Sequence, residues 1–393
     1  AVSCLSVDFK FACDFLSQIR KKYNVPIIFG GIHTILLPEE VMDNEIIDYA
    51  CVGEGEDSFV KLLAAMEEGK PVESVRGIWF RRGGKVIKNE PAALTDVTLL
   101  PSPDFDNFDP IHFYRAFDGK RYKMINYELS RGCPFNCSYC VNGILKEKYK
   151  GLGNYHRIKG ARQSIDELTR LIKKYKFDFV RFWDEDFTST PSSYMKEYSR
   201  LYKAEIGLPF LIYARVDTVT EDKVRILKDM GCWTFAMGIE SGNESIRKRV
   251  MNRHMSNKTI VEKFDLVKSL GVRVSAYNMI GLPHETRKEI FDTIELNKKI
   301  NPDSFSVTML EPYKGTPIRK MCEDEGLDPD YETTVVDRPQ FVPKGMTLDE
   351  LKGLFRTFGL YVRFPVERYD EIKKSEKDDK IFEELKKDFM EMK

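Results

Sequence analysis

The sequence predicts an α/β protein: a partial barrel of six strand-helix units, preceded by a partial Rossmann-like domain and followed by a helical C-terminal extension. Three observations predict it. Strand and helix patterns alternate from residue 1 to about 70. Six β-rich runs separated by helical periodicity follow, and the tail beyond about 340 alternates charged and apolar residues. The implied division is 1–70, a connector over 71–120, the barrel over 121–325 and the extension over 326–393.

In the first region strands are expected at Val2 to Val7, Pro26 to Gly30 and Asp48 to Val52. Helices are expected at Phe11 to Tyr23, from Pro38, and at Ser58 to Glu68. This alternation implies a parallel sheet covered by helices. VSCLSV resembles a buried strand at the very start, as though the sequence begins inside a domain. Gly30-Gly31-Ile32-His33 and Gly53-Glu54-Gly55-Glu56 each follow a strand directly, where doubly wound sheets bind ligands. Ordinary tight turns would look the same. GIWFRRGGKVI carries a Gly-Gly hairpin signal, and LLPSPDFDNFDP is rich in Pro and Asp, so both fall in the connector.

The barrel strands are expected at Met124 to Leu129, Phe179 to Trp183, Phe210 to Tyr213, Thr234 to Ile239, Arg273 to Ile280 and Ser304 to Leu310. Ile165, Leu168, Ile172 and Tyr175, and Val261, Phe264, Val267 and Leu270, supply the intervening helical spacing. In such barrels chemistry sits at the carboxyl ends of the strands.

Lysine plus arginine and aspartate plus glutamate both number 62, so no global field recruits nucleic acid or an anionic membrane. No run of about 18 uncharged apolar residues and no signal peptide pattern is present, which implies a cytoplasmic protein. Of the eight cysteines, three crowd into RGCPFNCSYC at C-x3-C-x2-C: Cys133, Cys137 and Cys140. Thiolates suit zinc or iron-sulfur clusters. Structural zinc needs a fourth ligand, and His156, the nearest histidine, lies 16 residues beyond Cys140. A 4Fe-4S cubane held by three thiolates keeps one iron open. Cys4, Cys13 and Cys51 fall in predicted strands or a helix as small apolar residues, and Cys322 alone follows Cys232, so a single cluster is expected.

The cysteine loop, with an aromatic before its last cysteine and a place after the first barrel strand, resembles the radical S-adenosylmethionine (radical SAM) superfamily. That resemblance implies a 4Fe-4S cluster on Cys133, Cys137 and Cys140, whose open iron chelates S-adenosylmethionine. One electron then yields a 5'-deoxyadenosyl radical. WDEDFTS ends the second strand where the family receives the cofactor's amino group, which makes Asp184 and Asp186 candidates, with helix capping as their alternative role. Arg215 in YARVD could pair with the cofactor carboxylate or form a structural ion pair. GIESG offers Glu240 and Ser241 to ribose hydroxyls, Gly281 in NMIGLPHET would let backbone approach the adenine, and Tyr139 would lie near it. LEPYKGTP ends the sixth strand, as in many relatives. Trp183, Tyr213, Tyr277 and Tyr313 could line a substrate cavity or fill the barrel core.

FGGIHTILLPEE and IDYACVGEGEDSF resemble the second half of the cobalamin-binding domain of one radical SAM subclass, the class B methyltransferases. The resemblance implies that Gly30, Gly31, His33, Gly53, Glu54 and Gly55 cradle a corrin. The D-x-H-x-x-G ligand motif is absent, so the domain is cut short, binds cobalamin without that histidine, or binds none. The implied reaction is methylation of an unactivated carbon or phosphorus centre of a small-molecule or biosynthetic-intermediate substrate, with a flavodoxin or ferredoxin as electron donor. Cobalamin-independent cyclisation, carbon-carbon coupling or rearrangement is the alternative, and a redox-sensing cluster protein the non-enzymatic one.

Overall fold

A computed structural model describes residues 1–326 and 339–392; residues 327–338, within the expected C-terminal extension, and residue 393 lie outside the described residues. The chain divides into two compact units, one comprising Ala1–Asp96, Phe135–Tyr155 and Glu311–Gln340, the other Val97–Pro134, His156–Leu310 and Phe341–Lys393.

The first unit is built on a five-stranded sheet in the order β1-β2-β3-β4-β5: β1 (Val2–Ser3), β2 (Ile28–Gly30), β3 (Tyr49–Cys51), β4 (Ile78–Arg82) and β5 (Lys85–Lys88). The first three strands are parallel, joined by helices Phe9–Lys22 and Pro38–Asp43, as the alternation predicts. Two details differ. The opening strand stops at Ser3, and Ser6–Asp8 form a 3-10 turn. The hairpin expected in the connector joins this sheet instead, because β4 pairs antiparallel with β3, Cys51 opposite Ile78. Its turn is Gly83-Gly84, with φ of 56° and 76°, the left-handed pair that a two-residue hairpin demands. An unanticipated short helix, Ile32–Leu36, follows β2 directly.

The second unit carries a curled seven-stranded sheet. Its order is β14-β13-β12-β11-β10-β7-β6. The strands are β6 (Tyr114–Phe117), β7 (Lys120–Tyr127), β10 (Phe179–Phe182), β11 (Phe210–Arg215), β12 (Cys232–Glu240), β13 (Arg273–Ile280) and β14 (Ser304–Met309), with a small β8 (Ser130–Arg131) to β9 (Arg157–Ile158) ribbon beside them. From β7 to β14 every neighbour in the main sheet is parallel, which gives the expected six-strand partial barrel. The edge strand β6 pairs antiparallel with β7. Burial follows the pleat: on β13, Val274, Ala276, Asn278 and Ile280 are buried while Ser275, Tyr277 and Met279 are half-buried. The buried faces of β10 to β13 pack on helices such as Ala161–Tyr175 and Asn257–Ser269 through Phe182, Phe210, Phe235, Leu168 and Phe264. The helix Leu348–Arg363, opened by a Thr347/Glu350 capping box, sets Leu351, Leu354 and Phe358 against Ile280, Ile290 and Ile294. Each such side chain contributes about 1.5–3 kcal/mol by burial, which is why the described tail packs with the barrel.

Candidate active site at the strand ends

In the second unit, β7 leads through Leu129 and Ser130 to Cys133. Asp184, just past β10, holds this exit. Its Oδ1 accepts the Ser130 amide at 2.6 Å and the Ser130 hydroxyl at 2.5 Å, and its Oδ2 accepts the Leu129 amide at 3.4 Å. Burial pushes the Asp184 carboxyl up to about 7 against the pull of these donors. Asp186 caps the 3-10 turn Phe187–Ser189 through the Thr188 amide. It also accepts the Thr188 and Thr218 hydroxyls and the Arg215 amide, which ties the end of β10 to that of β11. The helix beginning at Ser192 has Pro191 as its N-cap, with no side-chain cap. Asp184 and Asp186 thus both turn into the fold. Between them Glu185 is exposed. Sequence reasoning passed over Glu185, although period-two alternation past β10 would have separated it from its neighbours.

Arg215 is buried and forks onto Asp217, Nε to Oδ1 at 3.0 Å and Nη2 to Oδ2 at 2.8 Å, the structural ion pair that the sequence left open. Glu240 ends β12 at φ 63° and lies 3.6 Å from the buried Arg253 guanidinium, which donates to the Gly238 carbonyl at 2.6 Å. Ser241 is fully buried, with its hydroxyl accepting the Asn243 amide at 3.3 Å. Gly281 sits at φ +78°, and a Cβ there would meet Leu351 at 3.2 Å. Its close neighbour is therefore a helix of this chain.

In the first unit, Cys140 accepts the Asn142 amide and side chain at 3.5 and 3.4 Å, and the Tyr155 hydroxyl fixes that side chain by donating to Asn142 Oδ1 at 2.5 Å. The Ser138 carbonyl accepts the Ile318 amide at 3.1 Å, and Tyr139 is half-buried. Cys133, Cys137 and Cys140 are intermediate in exposure, whereas the other five cysteines are buried. Burial pushes the Cys4, Cys13 and Cys51 thiols up to about 11. The loop thiols are thus the solvent-reachable soft donors. Among the described residues no three His, Cys, Asp or Glu side chains converge on one ion position. A cubane does not require such convergence, since each thiolate binds a different iron.

The glycine loops divide. A Cβ on Gly31 would stand 2.6 Å from Ser3 Oγ and 2.8 Å from the Cys4 amide, so the sheet itself requires this glycine. His33 is buried, its Nδ1 is 3.0 Å from the Ser6 hydroxyl, and burial lowers its pKa; its Nε2 meets no partner among the described residues. A Cβ on Gly30 would stand 3.8 Å from the Cys51 Cβ, an ordinary contact. Gly53 differs: at φ +148° nothing lies within 4.0 Å of its Cβ position except, at that distance, the Tyr149 hydroxyl. Open space in front of a glycine-only conformation suits the edge of a flat cofactor. Beside it Glu54 accepts the Thr95 amide at 2.8 Å, and Gly55 starts a helix.

The second unit is a partial (βα)6 barrel whose first strand leads into a cysteine loop. Residues 127–296 match the family model described as Radical SAM superfamily. That superfamily uses a 4Fe-4S cluster and S-adenosylmethionine. An uncharacterized methyltransferase of Pyrococcus horikoshii is 29% identical over 75% of this chain and 62% of its own length. An anaerobic magnesium-protoporphyrin IX monomethyl ester cyclase of Rubrivivax gelatinosus is 24% identical over 91% of this chain and 65% of its own. This chain therefore spans less than two thirds of either relative. Among solved structures, the cobalamin-dependent radical enzyme OxsB with aqua-cobalamin bound superposes with a TM-score of 0.68 at 17% identity, over 98% of this chain and 63% of that one. The radical methyltransferase TsrM of Kitasatospora setae, with cobalamin and a 4Fe-4S cluster bound, does so with 0.63 at 17% identity, over 80% and 60%. At that identity the likeness establishes the fold. Among the described residues no helix is long and apolar enough to cross a membrane.

Proposed function

We propose that the protein is a radical SAM enzyme that methylates an unactivated carbon or phosphorus centre of a small-molecule substrate with the help of cobalamin. The observation that carries the proposal is the donor set: three solvent-reachable thiols on one short loop of a radical SAM domain, with every other cysteine buried. Cys133, Cys137 and Cys140 would hold the cluster. The exposed Glu185, with Glu240, would face S-adenosylmethionine. The open loop at Gly53 supports cobalamin, whereas Gly31 and His33 have reasons of their own in the sheet. When bound, the cluster and S-adenosylmethionine supply a 5'-deoxyadenosyl radical, and cobalamin supplies the methyl group.

The chain's own residues position and exclude. Asp184 holds the segment entering the cysteine loop, Asp186 ties two strand ends together, and Arg253 braces Gly238 and Glu240. A low-potential electron donor such as a flavodoxin or ferredoxin and a cytoplasmic location belong to the same proposal.

The experiment is methyl transfer from methyl-labelled S-adenosylmethionine in anaerobically reconstituted protein, with and without added cobalamin. Label in product only with cobalamin is the expected result. Cleavage of S-adenosylmethionine that is indifferent to cobalamin would favour a second reading, an oxidative cyclase. That reading draws support from a cyclase relative whose match spans 91% of this chain.

A further inference from the structure

The strand alternation puts Phe179, Arg181 and Trp183 on one face of β10, and Val180 and Phe182 on the helix-covered face. Phe179 packs with Met124, Leu211 and Tyr213, so this is the concave side of the curled sheet. Arg181 lies with its guanidinium 4.0 Å from the centroid of the Trp183 ring. Its Nε donates to the Tyr213 hydroxyl at 2.7 Å, and its Nη2 donates to the same oxygen. Trp183 meets Tyr213 edge-on at 5.3 Å, and Tyr213 lies 5.8 Å from Tyr277 on β13. Trp183 is 51% exposed at the carboxyl end of its strand.

This arrangement leaves one edge of a cation available to a ligand. Among the described residues Arg181 has no carboxylate partner and Nη1 has no acceptor, while Nε and Nη2 are aimed by Tyr213. A half-buried guanidinium held over an indole and fixed by Tyr213 presents its Nη1–Nη2 edge as a preorganised fork. An exposed tryptophan next to it offers a ring face.

We propose that Arg181, Trp183 and Tyr213 form a binding subsite for a planar, unsaturated substrate that carries a carboxylate. The carboxylate sits on the Arg181 fork, and the planar body stacks on Trp183. As the substrate class of the reaction proposed above, this subsite rests on that reading, but its own test needs neither cluster nor turnover.

The probes are 2-naphthoate, its neutral isostere 2-naphthamide, and cyclohexanecarboxylate, titrated into the full chain by ligand-observed NMR. Naphthoate should bind at least about tenfold more tightly than either of the others. Arg181→Gln should erase that preference while leaving naphthamide unchanged, and Arg181→Lys should restore part of it. Equal affinity for naphthoate and naphthamide, no binding of naphthoate, or a naphthoate affinity indifferent to Arg181→Gln would each overturn the proposal. The comparison among probes on the unaltered protein stands even where a variant fails to fold. Cleavage of S-adenosylmethionine, followed separately in reconstituted protein, tests the radical reading. Failure there with intact naphthoate selectivity would remove the reaction and keep the subsite.

Discussion

The carboxyl of Glu285 holds the turn at Gly281 from within: its Oε2 accepts the Gly281 amide at 2.7 Å and the Leu282 amide at 3.1 Å, and the residue is fully buried. Its Oε1 finds no partner among the described residues, and burial pushes the carboxyl up to about 8, against the pull of the two amides. The folded state keeps its proton up to about pH 8, whereas the unfolded chain releases it near the ordinary 4.5. Stability from this group is therefore full below that lower value and is lost as pH rises through the interval. Melting temperature should fall between about pH 5 and pH 8 and fall less in Glu285→Gln, whose amide oxygen can still accept both N–H groups. An equal slope in both proteins would remove Glu285 from the account. Glu285→Ala, which abandons two buried donors, should cost about 1–3 kcal/mol in chemical denaturation.

The three half-exposed cysteines should act as a set. Replacing Cys133, Cys137 or Cys140 singly by alanine should abolish the iron-sulfur absorption recovered on anaerobic reconstitution. Cys322→Ser, at a fully buried position of the helix Pro317–Asp324, should lower stability by about 1–3 kcal/mol while leaving cluster chemistry intact in the protein that stays folded. Iron assays and electron paramagnetic resonance read the difference. Retention of a normal cluster in any of the three loop variants would refute the ligand set.

The legible parts of this molecule were those where one face of an element is buried and the other is not. Arg273 to Ile280 was readable as a strand to the residue, because its period-two alternation is bounded by Gly271 and Gly281. The roles of polar residues past a strand end were not. Asp184, Glu185 and Asp186 are equivalent as letters, and only the pleat decides that the first and last turn inward. Glycines were ambiguous for a related reason: a missing side chain makes room for a ligand or for the fold alike. Gly31 and Gly281 proved to be crowded by Ser3 and Leu351, and Gly53 proved open. The hairpin at Gly83-Gly84 was readable, but its partner strand was not, since long-range pairing leaves no local trace.

Asp184 should govern the order of the segment that enters the cysteine loop. In Asp184→Ala the amides of Leu129 and Ser130 lose their acceptor, and hydrogen exchange at those two sites should accelerate by about tenfold to a hundredfold, corresponding to about 1–3 kcal/mol. With its folded value near 7 against an ordinary 3.8, this group also makes stability decline as pH rises across that window. Unchanged exchange at residues 129 and 130 would show that the ribbon with β9 alone holds the exit.

The barrel's closing side should fail when its buried ion pair is opened. Arg287 forks onto Glu376, Nη1 to Oε2 at 2.9 Å and Nη2 to Oε1 at 2.5 Å, and the Tyr361 hydroxyl donates to the same Oε1 at 2.7 Å. The Glu376 side chain is only 5% exposed while Arg287 reaches solvent at 27%, so the two partners are not interchangeable in what their loss leaves behind. Arg287→Met strands an anion with one remaining donor and should cost about 3–5 kcal/mol. Glu376→Gln leaves a neutral amide beside an arginine that can turn to water and should cost distinctly less. Combining Arg287→Met with Glu376→Gln should recover most of the first loss, because the buried charge itself is gone. Denaturant midpoints for the two single variants and the double settle it: additive losses would mean that the pair contributes packing alone and no charge compensation.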